Sequence, residues 1–234
     1  KARPDQDEMQ NFITPHWIEK LPQPLQEAWE KDSNDTHFFL PLKASRGSDF
    51  LDQVVLAADV HILLNLHNLR SLVLDDRRGQ GSCFEFSVSV SAAEWNPGEA
   101  EGSRKDFQRV QASVATLTKT SFNRATSTPV GTQSTRFHQF ECVVKVPKSI
   151  REDEGSNSRS SVAETTIMLA FPELGGNKDE ENKTFAVFAG LPISGLCLGF
   201  RFLINCDFIL NTSRESVIEN AFNAFLRDAV ARFF

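Results

Sequence analysis

Residues 200–209 alternate apolar and polar side chains, which predicts a strand with one buried face. Alternation of this kind, or enrichment in β-branched and aromatic residues, predicts further strands at 69–74, 83–90, 110–118, 137–146, 165–171 and 185–190. The polar segment 75–81 joins the first two, so these form a predicted hairpin. The sequence therefore predicts a sheet of mostly antiparallel strands.

Two segments carry apolar residues at helical spacing instead. Residues 49–66 form one such stripe, and Ile218, Phe222 and Phe225 begin a second that ends at Ala229. The polar residues of the second segment are predicted on its solvent side; they are Glu219, Asn223, Arg227 and Asp228. Stretches rich in Ser, Thr, Gly and charge predict loops at 118–135, 148–163 and 173–183. The order predicts an α+β domain with a helix near its N-terminal third and a closing C-terminal helix.

The charge, the apolar runs and the cysteine spacing of the chain argue against several classes of function. The formal net charge is −6 and the basic residues are scattered, which argues against a nucleic-acid partner. No run of 18 or more apolar residues predicts a membrane span, and the polar start predicts no signal peptide. The start also lacks methionine, so we expect the chain to be part of a longer protein. The four cysteines lack metal-site spacing and are predicted to be free thiols in an intracellular protein, cytoplasmic or nuclear, although two disulfides stay open.

The segment 206–216 carries the strongest candidate chemistry. Thr212 stands three residues before Glu215, the spacing of a capping box, which predicts a helix start here. Arg214 would then lie in the first helical turn, where free N–H groups and the helix dipole favour an anion. Its guanidinium adds a bidentate donor for phosphate. The alternative is an arginine that is simply solvated at a helix end.

This segment resembles the middle-domain motif of the GHKL ATPases, the superfamily that includes gyrase and the ninety-kilodalton heat-shock chaperone. The matching residues stand in the order Asp207, Leu210, Asn211, Ser213, Arg214 and Glu215. Residues 184–232 are more closely similar to sacsin and the plant NO VEIN proteins, through 185–193, 199–202 and the same motif. Shorter likenesses lie at 36–42 and 63–74.

The resemblance implies a middle-type, transducer-like fold and a chaperone-like function. Arg214 would contact the γ-phosphate of ATP held with Mg by an upstream domain, with Asn211, Ser213 and Glu215 as supporting residues. Asn211 would shape the turn, and Glu215 would cap the helix and pair with Arg214. The partners implied are that upstream domain in cis and protein clients. The parent would be the ATPase, whereas this chain alone would hold no cofactor and would not hydrolyse ATP.

The same reading divides the chain into three parts. Residues 1–35 are predicted as a linker or peripheral helices, 36–47 as the last strand of the upstream domain or its linker, and 48–234 as the β-rich middle-type domain. Two other functions stay open. One is a non-catalytic protein-interaction module of a large scaffold protein, acting through edge strands or long loops. The other is a stand-alone enzyme of unrelated chemistry.

Other candidate sites have simpler interpretations. Asp76, Gly79 and Gly81 lie between two predicted strands, so a hairpin turn is favoured over a phosphate loop. His61 and His67 are too far apart in sequence to share a metal from one helix face. His138 and Cys142 lie on one strand face at a spacing too long for a Cys-His nucleophile, so packing is favoured there.

Overall fold

The strands form one sheet built mainly from antiparallel pairs. The computed structural model describes residues 60–75, 83–94, 107–123, 126–153, 155, 159–173, 183–193, 196 and 198–234. All of these fall in the compact unit Leu51–Phe234. The predicted segments 1–35 and 36–47, and residues 49–59 of the first predicted helix, lie outside the described residues.

In chain order the strands are β1 (Ser71–Asp75), β2 (Cys83–Ala92), β3 (Phe107–Asn123), β4 (Thr128–Lys145), β5 (Glu164–Pro172), β6 (Val187–Ala189), β7 (Leu191–Pro192) and β8 (Leu203–Cys206). The helices are α1 (Ile62–Asn65), α2 (Lys148–Arg151) and α3 (Ala221–Phe233). The spatial order of the strands is β1-β2-β3-β4-β5-β8-β6-β7. Among the described strands, β6 and β8 form the one parallel pair. The predicted α+β class, with a mostly antiparallel sheet and a C-terminal helix, is confirmed.

Both faces of the sheet are buried, because successive residues of a strand point to opposite sides. On β5, Ile167 and Leu169 pack into one apolar cluster, whereas Met168 and Ala170 pack into the other. The first cluster contains the inner side of α3, through Phe222, Leu226, Ala229 and Phe233. The second contains Leu63 and Leu64 of α1. We call these two sides the α3 face and the α1 face.

The predicted loop at 118–135 is wrong. These residues form the outer ends of β3 and β4, which stay paired from Thr118 and Ser134 out to Asn123 and Thr128. The Thr118 and Ser134 hydroxyls lie 3.1 Å apart across the strands. Threonine suits an extended backbone even where both faces are solvated, so a polar composition did not prevent strand formation.

The outer half of β4 differs from its inner half. Pairing with β5 begins at Phe137, so residues 128–136 pair with β3 alone among the described strands. This leaves one edge of β4 open within the described part of the sheet. Pro129, which has no N–H to donate, lies on this segment.

The cysteines of the described residues are reduced. Cys83, Cys142 and Cys206 are free thiols, while Cys197 lies outside the described residues. Cys142 pairs in register with Ile167, and Ile167 pairs with Cys206. The two buried thiols are therefore separated by a whole strand, which is too far for a disulfide.

Candidate functional site

The motif predicted to open a helix forms a hairpin-like loop instead. Leu210 and Val217 make an antiparallel bridge, and Asn211 N–H donates to the Ser216 carbonyl at 3.0 Å. Below them, Ile218 N–H donates to the Ile209 carbonyl at 3.2 Å. We call residues 209–218 the Arg214 loop. Its tip is residues 212–215, and the helix α3 begins only at Ala221.

Asn211 organises the tip of this loop. Its carbonyl accepts from Arg214 N–H at 3.0 Å, closing a four-residue turn. Its side-chain Oδ1 accepts from the N–H groups of Glu215 and Ser216 at 3.0 and 3.3 Å. Asparagine favours such positions because its short amide bonds the nearby backbone. Asn211 thus shapes the turn from both its backbone and its side chain.

Arg214 occupies the left-handed backbone region, with φ at +61°. Glycine and asparagine fit this region, whereas an L-residue with a long side chain costs about 1 to 2 kcal/mol there. Such a conformation persists only where surrounding bonds determine it. Here the bonds to Asn211 and its neighbours do so.

The Arg214 side chain is exposed and reaches back to the sheet. Its Nη2 donates to the Ala189 carbonyl at 3.2 Å. That carbonyl belongs to the β6–β7 turn, whose Gly190 has φ at +73° and donates its N–H to Asn205 Oδ1 at 2.9 Å. Within the described residues, Arg214 makes no ion pair.

The expected roles of Ser213 and Glu215 differ from the observed contacts. Ser213 Oγ donates to Glu215 Oε2 at 3.1 Å, so the pairing of Glu215 with Arg214 is not what the structure has. Nor do Thr212 and Glu215 cap a helix. The cap of α3 is Asn220, whose Oδ1 accepts from Asn223 N–H at 2.7 Å. Arg214 therefore does not lie in the first turn of α3.

Asn223 joins α3 to the base of the Arg214 loop. Its Oδ1 accepts from Ile209 N–H at 2.9 Å, and its Nδ2 donates to the carbonyls of Ile209 and Ile218 at 2.8 Å each. The side chain is 2% exposed, so its predicted place on the solvent side of the helix is wrong. It is a buried polar residue whose amide is fully used by backbone groups.

Asp207 precedes the loop and is paired. Arg159 Nη2 contacts its Oδ1, and the two form a salt bridge. Desolvation by the surrounding protein raises the pKa of the Asp207 carboxyl, and the Arg159 guanidinium acts in the opposite direction. The acidic residue of the motif thus fixes the end of β8 to the segment containing Arg159.

Sequence reasoning brought Asn211, Ser213, Arg214 and Glu215 together, and they share one loop in the structure. It missed Asn223, which bonds the loop base, Ala189, whose carbonyl accepts from Arg214, and Asn205, which accepts from Gly190 in the β6–β7 turn. Asn223 stands three residues after Asn220, a cap-like spacing that could have placed the helix start later. The Ala189 contact is long-range and carries no local signal.

Among the described residues, no group of three His, Cys, Asp or Glu side chains could hold a metal ion. No helix in the described ranges is long and apolar enough to cross a membrane. In comparisons with known proteins, no family model, no curated protein and no solved structure matches this chain.

Proposed function

We propose that this chain is the middle-type segment of a chaperone-like GHKL ATPase of the sacsin and NO VEIN kind, and that it supplies Arg214 to the γ-phosphate of ATP held by an upstream domain. One observation carries the proposal. Arg214 is held with φ at +61° on a loop that is tied at both ends, and its guanidinium meets a neutral carbonyl rather than a carboxylate.

The charge of Arg214 is therefore available to an anion. A guanidinium has five N–H donors, and the Ala189 carbonyl accepts from Nη2 alone. Among the described residues no carboxylate neutralises it. Backbone strain at an exposed, charged side chain is typical of positions where orientation serves a function.

The position of Arg214 on a loop rather than in a helix changes which groups would bind the phosphate. Because α3 begins at Ala221, Arg214 is not in the first helical turn, where the free N–H groups and the helix dipole were expected to favour an anion. Phosphate binding would rest on the guanidinium and on the fixed geometry that Asn211 provides. Ser213 and Glu215 would contribute through their mutual hydrogen bond, which keeps the Glu215 carboxylate on the Ser213 hydroxyl and leaves the Arg214 guanidinium for the phosphate.

The bond between Arg214 and the Ala189 carbonyl would couple the nucleotide state to the conformation of the protein. When Arg214 turns toward a phosphate, it gives up the Ala189 carbonyl and so loosens the loop from the β6–β7 turn. Two arrangements of one side chain would then bias two arrangements of the sheet edge against its partners. ATP and Mg enter this proposal through the resemblance and would be held by the upstream domain.

The test is single-turnover ATP hydrolysis by the full-length protein, with ATP binding measured separately. Arg214→Ala is expected to lower the rate at least about tenfold while ATP still binds, because an arginine on a transferring phosphoryl group stabilises charge in the transition state. Arg214→Lys should recover little, since a lysine lacks the planar fork. Arg227→Ala, an exposed arginine of α3, is the matched control and should leave the rate unchanged. An Arg214→Ala rate equal to wild type would refute the proposal.

A second candidate is a non-catalytic protein-interaction module, and an exposed aromatic cluster favours it. Phe200 and Phe202 stack with ring centroids 5.1 Å apart, and Phe202 stacks on Phe234 at 5.0 Å. Phe200 and Phe234 are 39% and 72% exposed. Exposed apolar clusters of this kind mark protein-interaction surfaces. If the wild-type full-length protein neither binds nor hydrolyses ATP, this candidate would be favoured over the first.

A further inference from the structure

The spacing of Thr212 and Glu215 is that of a capping box, yet these residues cap no helix. They stand three apart in the sequence, and α3 begins only at Ala221. Thr212 is exposed at the tip of the Arg214 loop and makes no hydrogen bond with any described residue. An exposed hydroxyl with a carboxylate three positions later is also the pattern that acid-directed protein kinases select, because their substrate cleft is basic.

The two serines of the Arg214 loop are less suited to this modification. Ser213 already donates its hydroxyl to Glu215 at 3.1 Å, and no acidic residue stands three positions after it. Ser216 has an acidic residue at that spacing, but its N–H and its carbonyl are both bonded to Asn211. A kinase has to draw the acceptor segment into its cleft, and at Thr212 no described hydrogen bond has to break for this.

Arg214 lies within reach of a phosphate on Thr212. The two residues are the second and fourth of the turn that the Arg214 N–H closes on the Asn211 carbonyl. Residues two apart have Cα atoms no more than about 7 Å apart, a distance that an arginine side chain spans. Both residues are exposed. In the structure the Arg214 guanidinium donates to a neutral acceptor, the Ala189 carbonyl.

We propose that Thr212 is a phosphorylation site for an acid-directed protein kinase, and that the phosphate on Thr212 draws the Arg214 guanidinium away from the Ala189 carbonyl. ATP donates the phosphoryl group. The bond from its γ-phosphorus to the β–γ bridging oxygen breaks, and a bond from that phosphorus to Thr212 Oγ1 forms. The hydroxyl proton passes to the catalytic carboxylate of the kinase, and ADP leaves.

The charges favour this exchange of partners. A phosphorylated threonine carries a charge of about −1.5 to −2 near pH 7 and offers three acceptor oxygens. A guanidinium bonds such a group through two parallel N–H donors, which is stronger than its single bond to a neutral carbonyl.

The modification would act on the tip of the loop and not on its base. The guanidinium bond joins the tip to the β6–β7 turn, whereas Asn223 holds the base. Phosphorylation would therefore release the tip and leave the base in place. Under the proposed function, Arg214 would also be withheld from the γ-phosphate of ATP. This last consequence rests on the proposed function, whereas the contact between Arg214 and the phosphorylated Thr212 needs no bound nucleotide.

One peptide group reports directly on this change. The Ala189 carbonyl and the Gly190 N–H belong to the same peptide, and the pair Ala-Gly occurs once in the chain. Labelling alanine with ¹³C at its carbonyl and glycine with ¹⁵N therefore selects the signal of this peptide. The Ala189 ¹³C signal should move on phosphorylation, because the carbonyl loses a charged donor. Unphosphorylated Arg214→Ala should show a shift in the same direction, and phosphorylation of that variant should leave its signal in place.

Phosphorylation is measured with a purified acid-directed kinase, ATP and Mg, and the site is located by mass spectrometry of proteolytic peptides. Wild type should gain a phosphate on Thr212. Thr212→Ala, which removes an exposed side chain that caps no helix, should abolish the shift of the Ala189 signal. Glu215→Gln should slow phosphorylation of Thr212 at least about fivefold, because the kinase loses the charge that it selects.

Glu219→Gln is the matched control. It is exposed and stands three residues after Ser216, so it should leave the rate at Thr212 unchanged. The proposal would be overturned by the absence of phosphate on Thr212, by an unchanged rate in Glu215→Gln, or by an Ala189 signal that phosphorylation does not move. None of these outcomes bears on the test of the proposed function, which uses unphosphorylated protein.

Discussion

The guanidinium of Arg214 donates to the carbonyl oxygen of Ala189 at 3.2 Å, across 25 residues of chain. This bond joins the tip of the Arg214 loop to the β6–β7 turn. The loop is thereby fixed at its tip as well as at its base. The guanidinium that is proposed to contact the phosphate is therefore the same group that bonds the loop tip to the β6–β7 turn.

The backbone at Arg214 predicts an unusual order of stability between two variants. With φ at +61°, glycine fits the left-handed region, whereas alanine keeps the steric cost. We expect Arg214→Gly to be about 1 kcal/mol more stable than Arg214→Ala in urea unfolding. The matched pair at Arg227, inside α3, should show the reverse order by about 1 kcal/mol. Equal stabilities at position 214 would mean that the backbone there is not left-handed.

The start of α3 can be tested at its cap. Asn220→Ala should destabilise the protein by about 1 kcal/mol, because the Asn223 N–H loses its acceptor. Thr212→Ala should change the free energy of unfolding by less than about 0.5 kcal/mol, since Thr212 is exposed and caps no helix. Thermal or urea unfolding of both variants measures this. A larger loss for Thr212→Ala than for Asn220→Ala would instead support a capping box at Thr212.

Asn223 is expected to be the most sensitive residue of the site. Asn223→Ala leaves the N–H of Ile209 and the C=O of Ile218 without a partner, and it removes one of the two donors to the C=O of Ile209, at a cost of about 3 kcal/mol. Asn223→Asp keeps the acceptor but places a carboxylate against two carbonyls, so it should destabilise the protein at least as much as Asn223→Ala. Urea unfolding measures the loss, and hydrogen exchange at the Ile209 amide localises it. A loss of unfolding free energy below about 0.5 kcal/mol for either variant would contradict the role of the Asn223 hydrogen bonds at the loop base.

The two buried thiols predict a loss of stability at high pH. Burial raises the pKa of the Cys142 thiol to about 12, and burial also raises the pKa of Cys206, with smaller effects from Cys142 and Asp207. The unfolded thiols ionise near their ordinary value of about 8.5. Stability is therefore full below that pH and falls as the pH rises toward the raised values.

Urea unfolding at pH 8 and pH 10 measures this dependence. The wild-type protein should lose about 2 kcal/mol more than Cys142→Ala between these two pH values, since the variant has one thiol fewer to ionise on unfolding. Asp207→Asn, which removes a nearby carboxylate but no thiol, should keep the wild-type dependence on pH. An identical pH dependence in wild type and Cys142→Ala would contradict burial of the thiol.

The sequence predicted the fold class because alternation is a local signal. The stretch 83–90 alternates clearly and lies in β2, and the apolar stripe from Phe222 to Ala229 lies on the inner side of α3. It failed at 118–135, where the strands extend past the core and no buried face marks them. Composition there describes solvent exposure, which loops and solvated strands share.

The local geometry of the predicted site differs from the expected helix start. Asn211 to Glu215 were recognised by their order, yet the same residues suit a capping box and a hairpin turn equally well. Tertiary bonds decided between these, above all the amide of Asn223. That residue was assigned to solvent because polar residues on a helix usually lie there.

The bonds of Asn223 also restrict how the molecule can move. Its amide holds Ile209 on one side of the loop base and Ile218 on the other, while its own helix packs Phe222 and Leu226 into the core. Rotating α3 by a single residue, about 100°, would break all three bonds together. The N-terminal end of α3 and the base of the Arg214 loop are therefore joined as one unit, and a displacement of that end of the helix would carry both sides of the loop base with it.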